Sequence, residues 1–239
     1  VASGVIFDMD GVLVASGPAH AASWRLLARR HGLELSEELF RESFGRPSRD
    51  IVRMIWGQDL SDEQVRQIDE EKERIYRELI SGIVPLSIGA REVLQALSRA
   101  GFVLAVATSG PPENLELVLR ETGLGRYFAA TVHGFDVRSG KPAPDCFLLA
   151  AERAGLVAGA CVVVEDAPVG IQAARAAGMR AIALAGTYPR ETLAAAGAAL
   201  VLDRLDELRP QVVRSLLDGD PDTVGGSSGH ATRGGSTAD

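Results

Sequence analysis

The stretch Gly4-Val5-Ile6-Phe7-Asp8-Met9-Asp10-Gly11 decides the fold. Small and apolar residues run without a polar interruption into two carboxylates and a glycine. A strand with one wet face alternates apolar and polar residues. One buried on both faces does not, and that is the habit of parallel sheets covered by helices. The run therefore predicts a short buried strand that opens into a loop carrying Asp8 and Asp10.

The same pattern recurs outward from it. The strand Phe102 to Ala107 runs into Thr108-Ser109-Gly110. Ala129 to Val132 leads to a polar loop, His133 to Pro142. Cys161 to Val164 runs into Glu165-Asp166. Ala181 to Leu184 and Leu200-Val201 follow. Helices are predicted between them, at Ala90 to Ala100, from Pro112, at Asp145 to Ala154, at Val169 to Ala177 and at Leu205 to Leu217. Strands alternating with helices predict an α/β fold with a Rossmann-like parallel sheet.

Between the first strand and the rest the text changes. From His20 to about Ile80 it is rich in Arg and Glu, with Trp24, Leu27, Ala28, Val65, Ile68, Ile75 and Leu79 at helical spacing. This predicts an inserted α-helical cap, residues 16–80, on a core built from 1–15 and 81–217. The Gly/Ser/Thr-rich end, 218–239, reads as a flexible tail.

The chain has 239 residues, enough for one large domain with an insert. Its formal net charge of -7 argues against a nucleic-acid partner, which calls for a basic face. No apolar run reaches the ~20 residues that span a bilayer, and no secretory leader pattern opens the sequence. The expectation is a cytoplasmic protein without a membrane partner, a monomer or small homo-oligomer. Cys146 and Cys161 sit in apolar contexts and read as reduced buried thiols.

Of 25 basic residues only two are lysine, Lys72 and Lys141. A position that keeps Lys in an Arg-rich chain asks for a compact ammonium. Lys141, between Gly140 and Pro142 in a loop, is a candidate on that ground. Lys72 lies in the run Asp69-Glu70-Glu71-Lys72-Glu73-Arg74 and reads as a solvated helix face.

Open parallel sheets hold their sites beyond the carboxyl ends of their strands. Asp8 and Asp10 stand at the first end. Two apart in an extended chain, they would point to one side and repel unless a cation such as Mg²⁺ compensates. Thr108 and Ser109 offer hydroxyls and backbone N–H groups for an anion, although such pairs are more often helix caps. Glu165 and Asp166 add carboxylates that complete a hard-metal site or cap a helix.

In that order, Asp-x-Asp, Thr/Ser, Lys and Glu-Asp, the chain from about residue 4 to 217 resembles the haloacid dehalogenase-like superfamily of phosphotransferases. Asp8-Met9-Asp10-Gly11-Val12-Leu13, Thr108, Lys141 and Glu165-Asp166 match its four motifs. His20 and Trp24 stand at the spacing of its β-phosphoglucomutase-like phosphatases. One position departs: Ala15 precedes Ser16 where the family usually has Asp.

The resemblance implies an Mg²⁺-dependent phosphatase acting on a small phosphorylated substrate through an aspartyl-phosphate. Asp8 would be the nucleophile and Asp10 the general acid and base. Thr108 and Lys141 would bind the phosphoryl group. Asp8, Asp10, Glu165 and Asp166 would hold the metal. Gly11, His20, Arg46, Arg49 and Ser109 would contact substrate, the two arginines from a cap loop. A sugar-phosphate mutase of the β-phosphoglucomutase type is the alternative, and a silent binding protein on the same scaffold a third. A phospho-acceptor receiver is disfavoured by the chain's length, the helical insert and the spaced Asp pair.

Overall fold

The computed structural model describes residues 2–36, 38–39 and 48–219. Six strands form one sheet: β1 (Gly4–Phe7), β2 (Val103–Ala107), β3 (Phe128–Val132), β4 (Cys161–Glu165), β5 (Arg180–Leu184) and β6 (Leu200–Leu202). Their order is β3-β2-β1-β4-β5-β6, all pairs parallel. β1 is therefore central, and the winding reverses between β1 and β4. That reversal leaves a crevice at the carboxyl ends of the two strands.

The absence of alternation in the sequence has its reason here. Val5 and Phe7 enter one apolar layer with Leu94, Leu97, Leu104 and Val213. Ile6, between them, enters the other with Ala105, Ala107, Phe147 and Ile171. Successive residues face opposite sides, and both sides are dry. Truncating Leu97, fully buried, to Ala would cost about 2–5 kcal/mol.

The cap helices are α1 (Gly17–Arg30), α2 (Ser48–Trp56) and α3 (Asp62–Ile80). They enclose a cluster of their own: Trp24, Leu27, Ile51, Val52, Val65 and Ile75. Ser61 starts α3 with a reciprocal cap to Gln64, a local signal worth ~1 kcal/mol. The two links between cap and core are stitched together. Ala15 N donates to Pro85 O at 2.7 Å and Ser87 N to Leu13 O at 2.9 Å. Ala15 makes this tie through its backbone, so the absent carboxylate is not needed for it.

The core helices are α4 (Ala90–Arg99), α5 (Pro112–Thr122), α6 (Asp145–Arg153), α7 (Pro168–Ala176), α8 (Arg190–Ala195) and α9 (Pro210–Asp218). Two details correct the sequence reading. The helix expected over 205–217 is a short turn at Leu205–Glu207 followed by α9. Pro210 holds Arg209 extended and fits only a first helical position. α8, opened by Pro189, was not expected from the pattern. Residues 220–239, most of the expected tail, lie outside the described residues. No described helix is long and apolar enough to cross a membrane.

Candidate active site

Register sets the site. Phe7 pairs with Val106 on one side and Val164 on the other, so Asp8 emerges level with Ala107 and Glu165. Asp8 N donates to Val164 O at 2.9 Å, the last rung before the chain turns away. Thr108 is tied by its own N–H to Val132 O at 3.0 Å.

Lys141 closes the centre of this arrangement. Its Nζ donates to Asp8 Oδ1 at 2.6 Å and Glu165 Oε1 at 2.7 Å, and lies 4.8 Å from the centre of the Phe147 ring. Burial works against the ammonium, but the carboxylates of Asp8 and Glu165 outweigh it and hold its pKa above the ordinary lysine value. Burial pushes the Asp8 carboxyl up, and Glu165 and Asp166 push further against the opposing pull of Lys141.

Glu165 turns its second oxygen to the backbone N–H groups of Asp166 and Ala167, each at 2.9 Å. It orders the strand-to-helix turn and orients Lys141. Gly170 makes that possible, because a Cβ there would fall 1.8 Å from Glu165 Oε1. Asp166 accepts a hydrogen bond from the Thr187 hydroxyl. Burial and the neighbouring Glu165 push its pKa up to about 7. Gly11, with a φ of +78°, lies against Asp166, and a Cβ there would meet Oδ2 at 1.8 Å. It gives the metal-ligand candidate Asp166 room.

Asp8 and Asp10 take their partners from different parts of the chain. The strand ends at Phe7, so extended-chain alternation does not govern the next residues. Asp8 turns to Lys141 on the core, whereas Asp10 Oδ1 meets His20 Nε2 at 3.3 Å and Tyr76 Oη at 3.1 Å, both from the cap. Burial opposes ionisation of Asp10, but the donors His20, Ser16 and Tyr76 win and lower its pKa to about 2. A Cβ at Gly110 would stand 3.9 Å from Asp10 Oδ2 and 3.3 Å from Thr108 Oγ1, so these groups face one small space.

Lys72 corrects the sequence reading outright. It is not a solvated residue but 3% exposed, with Nζ 2.7 Å from His20 Nδ1 and 2.7 Å from Glu73 Oε1. An ammonium only donates, so Nδ1 of His20 accepts and Nε2 carries the proton that points at Asp10. His20 also stacks on Tyr76, ring centres 3.9 Å apart. Two signals could have found Lys72. Lysine is scarce, and position 72 continues the apolar stripe Val65, Ile68, Ile75, Leu79 on α3.

The other expected contacts divide. Ser109 is exposed at the rim of a cavity of about 650 Å³ between α3 and the loop after β2. Asp69, Glu70, Glu73, Arg74 and Arg77 form its cap wall, with Gly110, Pro111 and Phe135 opposite. Arg49 is exposed and pairs with Asp50 at 3.8 Å. Arg46 lies outside the described residues. Tyr76, Thr187 and Asn114 escaped the sequence reading, because nothing local marks a Tyr, Thr or Asn whose partner is distant in sequence.

A family model described as haloacid dehalogenase-like hydrolase matches residues 2–178. The phosphorylated carbohydrates phosphatase of Thermotoga maritima is 35% identical over 182 residues, 74% of this chain and 82% of the relative. The fructose-1-phosphate phosphatase of Escherichia coli is 36% identical over 181 residues, 75% of this chain and 95% of the relative. Among solved structures, a HAD hydrolase of family IA, variant 3, from Entamoeba histolytica superimposes with a TM-score of 0.84 at 29% identity. That match covers 90% of this chain and 99% of the other.

Proposed function

The chain belongs to the haloacid dehalogenase-like hydrolases and is a phosphatase, and we propose that it cleaves a small polyhydroxylated phosphate monoester with Mg²⁺ through a phosphorylated Asp8. The observation that carries this reading is the grip of Lys141 on Asp8 and Glu165 at 2.6 and 2.7 Å, at the crevice where the sheet reverses.

The donor set fits Mg²⁺. Glu165 and Asp166 raise the cost of ionising Asp8, and Glu165 that of ionising Asp166, with the ammonium of Lys141 in direct contact with only Asp8 and Glu165. Among the described residues no three His, Cys, Asp or Glu side chains form a ready-made cage. Mg²⁺ does not need one, since it takes one or two carboxylates and keeps several waters. Asp8 and Asp166 would be those carboxylates and Asp10 would add its backbone carbonyl. Glu165, committed to Lys141 and two N–H groups, would act through water. Bound there, the ion would neutralise charge on the phosphoryl oxygens.

The chain's own groups do the rest. With Asp8 Oδ1 held by Lys141, Oδ2 attacks phosphorus as the leaving oxygen departs with a proton from Asp10, which must first take that proton up against the donors His20 and Tyr76 that favour its anion. Asp10 then takes a proton from water, which displaces phosphate from Asp8. Lys141 has a third N–H for a phosphoryl oxygen, and the Thr108 hydroxyl and the N–H groups of the following loop supply others. Loss of one such donor costs ~2.7–4 kcal/mol of activation free energy. The cap supplies substrate contacts from its carboxylates and arginines, acceptors and donors that suit hydroxyl groups. Relatives named for phosphorylated carbohydrates and fructose 1-phosphate point the same way. The free buried thiols of Cys146 and Cys161 fit a reducing, cytoplasmic setting.

The test is a panel of phosphorylated metabolites assayed for inorganic phosphate with Mg²⁺. Release from sugar or polyol phosphates is expected, and none from any member overturns the reading.

A further inference from the structure

Asn114 lies in the first turn of α5 on the core, 1% exposed, yet both ends of its amide are engaged by the cap. Its Nδ2 donates to Glu73 Oε2 at 2.7 Å, and its Oδ1 accepts from Arg77 Nη1 at 2.8 Å. Glu73 and Arg77 stand one turn apart on α3. The other oxygen of Glu73 accepts from Lys72, which holds the His20 ring that points at Asp10. A continuous chain of hydrogen bonds thus runs from a core helix, through the cap, and back to the carboxylate at the end of β1.

We propose that Asn114 is a positioning residue for Asp10, acting through Glu73, Lys72 and His20 when the cap sits on the core. The inference rests on the phosphatase reading, in which Asp10 protonates the leaving oxygen. Chemistry selects an amide at this place. One neighbour is acidic and the other basic, so the bridging group must donate to the first and accept from the second. An aspartate could serve Arg77 but would set a second carboxylate against Glu73. An apolar residue would leave Oε2 of Glu73 and Nη1 of Arg77, both half-buried, without this partner. With Glu73 fixed on its far side by Asn114, Lys72 is held 2.7 Å from Nδ1 of His20. That fixes both the tautomer and the direction in which Nε2–H points. If Glu73 swings free, Lys72 and the imidazole lose their register with Asp10, while Asp8, Lys141 and Thr108 keep theirs.

The experiment compares two substrates on the whole protein with Mg²⁺. An alkyl phosphate needs a proton on its leaving oxygen, whereas 2,4-dinitrophenyl phosphate does not. Asn114→Asp should lower kcat on the alkyl phosphate at least about tenfold, part of the range a placed acid commands. It should leave kcat on the dinitrophenyl ester within about twofold, because the nucleophile is untouched. An acidic residue in a helix's first turn is well tolerated, so the variant should fold. The double variant Asn114→Asp with Glu73→Gln exchanges amide and acid. The amide introduced at position 73 would donate to the carboxylate introduced at position 114 and accept from Lys72. The alkyl phosphate kcat should then return to within about threefold of wild type, a coupling that independent sites do not show. Parallel losses on both substrates, no loss on either, or no rescue by the exchange would overturn the positioning role alone. A wild-type protein that releases phosphate from neither substrate would overturn the phosphatase reading, and this inference with it.

Discussion

Lys141 and Lys72, the two lysines of the chain, serve the two carboxylates of Asp8-Met9-Asp10, one from the core and one from the cap. Lys141, from a core loop, bonds Asp8 directly at 2.6 Å. Lys72, from cap helix α3, reaches Asp10 through the ring of His20. One ammonium belongs to the sheet and the other arrives with the cap, so the second carboxylate is fully dressed only where cap and core meet.

Lys141→Arg should be nearly as damaging as Lys141→Ala. The ammonium sits in a buried slot between two carboxylates and the face of Phe147, which a planar guanidinium overfills. Steady-state kinetics on any accepted phosphate ester measures it. An Arg variant within about tenfold of wild type, ~1.4 kcal/mol, contradicts the point-charge argument. The Ala variant leaves Asp8 and Glu165 buried without a cation, which should cost about 3–5 kcal/mol of stability.

Asp8→Asn should lower turnover by at least about 10³-fold, as loss of a covalent nucleophile does. The fold should hold. The change removes a charge that Glu165 and Asp166 resist, and Lys141 keeps Glu165 as its partner. Thermal melting with and without Mg²⁺ reports stability. Substantial residual activity would rule out a covalent step at Asp8.

Thr187→Val should weaken the metal while sparing the chemistry. Thr187 donates to Asp166 and orients the carboxylate assigned to Mg²⁺. Groups behind a ligand typically carry 10- to 100-fold in metal affinity. The Mg²⁺ concentration giving half-maximal rate should rise by about that factor, with kcat at saturating metal near wild type. An unchanged metal requirement would remove Asp166 from the ligand set. Full activity of wild type after exhaustive chelation would remove the metal.

The enzyme should hydrolyse rather than isomerise. A mutase must hold a bisphosphate at two anion sites. Here the segment after β2, Ser109-Gly110-Pro111-Pro112-Glu113-Asn114, carries no base, and Arg77 on the facing helix is engaged by Asn114. Arg49 stands 74% exposed beside Asp50. The protein is incubated with β-glucose 1-phosphate, Mg²⁺ and a trace of glucose 1,6-bisphosphate. Glucose 6-phosphate appearing much faster than free phosphate would establish the mutase instead. Phosphate from several unrelated monoesters, with no isomerised product, is the expected result.

The sequence by itself determined the parallel sheet, the place of the cap and the order of the site motifs. Those are local signals: apolar runs without alternation, a change to helical spacing after His20, and polar residues where each run stops. Asp8, Thr108 and Asp166 were legible as candidates because strand ends are legible and a parallel sheet brings them to one edge, and Lys141 because lysine is scarce in this chain. Only the tertiary structure decided that Asp8 takes its partner from the core and Asp10 its partners from the cap, because those partners lie far away in sequence. It alone showed Lys72 buried, Thr187 behind Asp166 and Asn114 between Glu73 and Arg77. A charged run on a helix looks the same whether it meets water or a second domain. Which face is covered depends on partners distant in sequence, 52 positions from His20 to Lys72 and 41 from Glu73 to Asn114, and local periodicity carries no record of them.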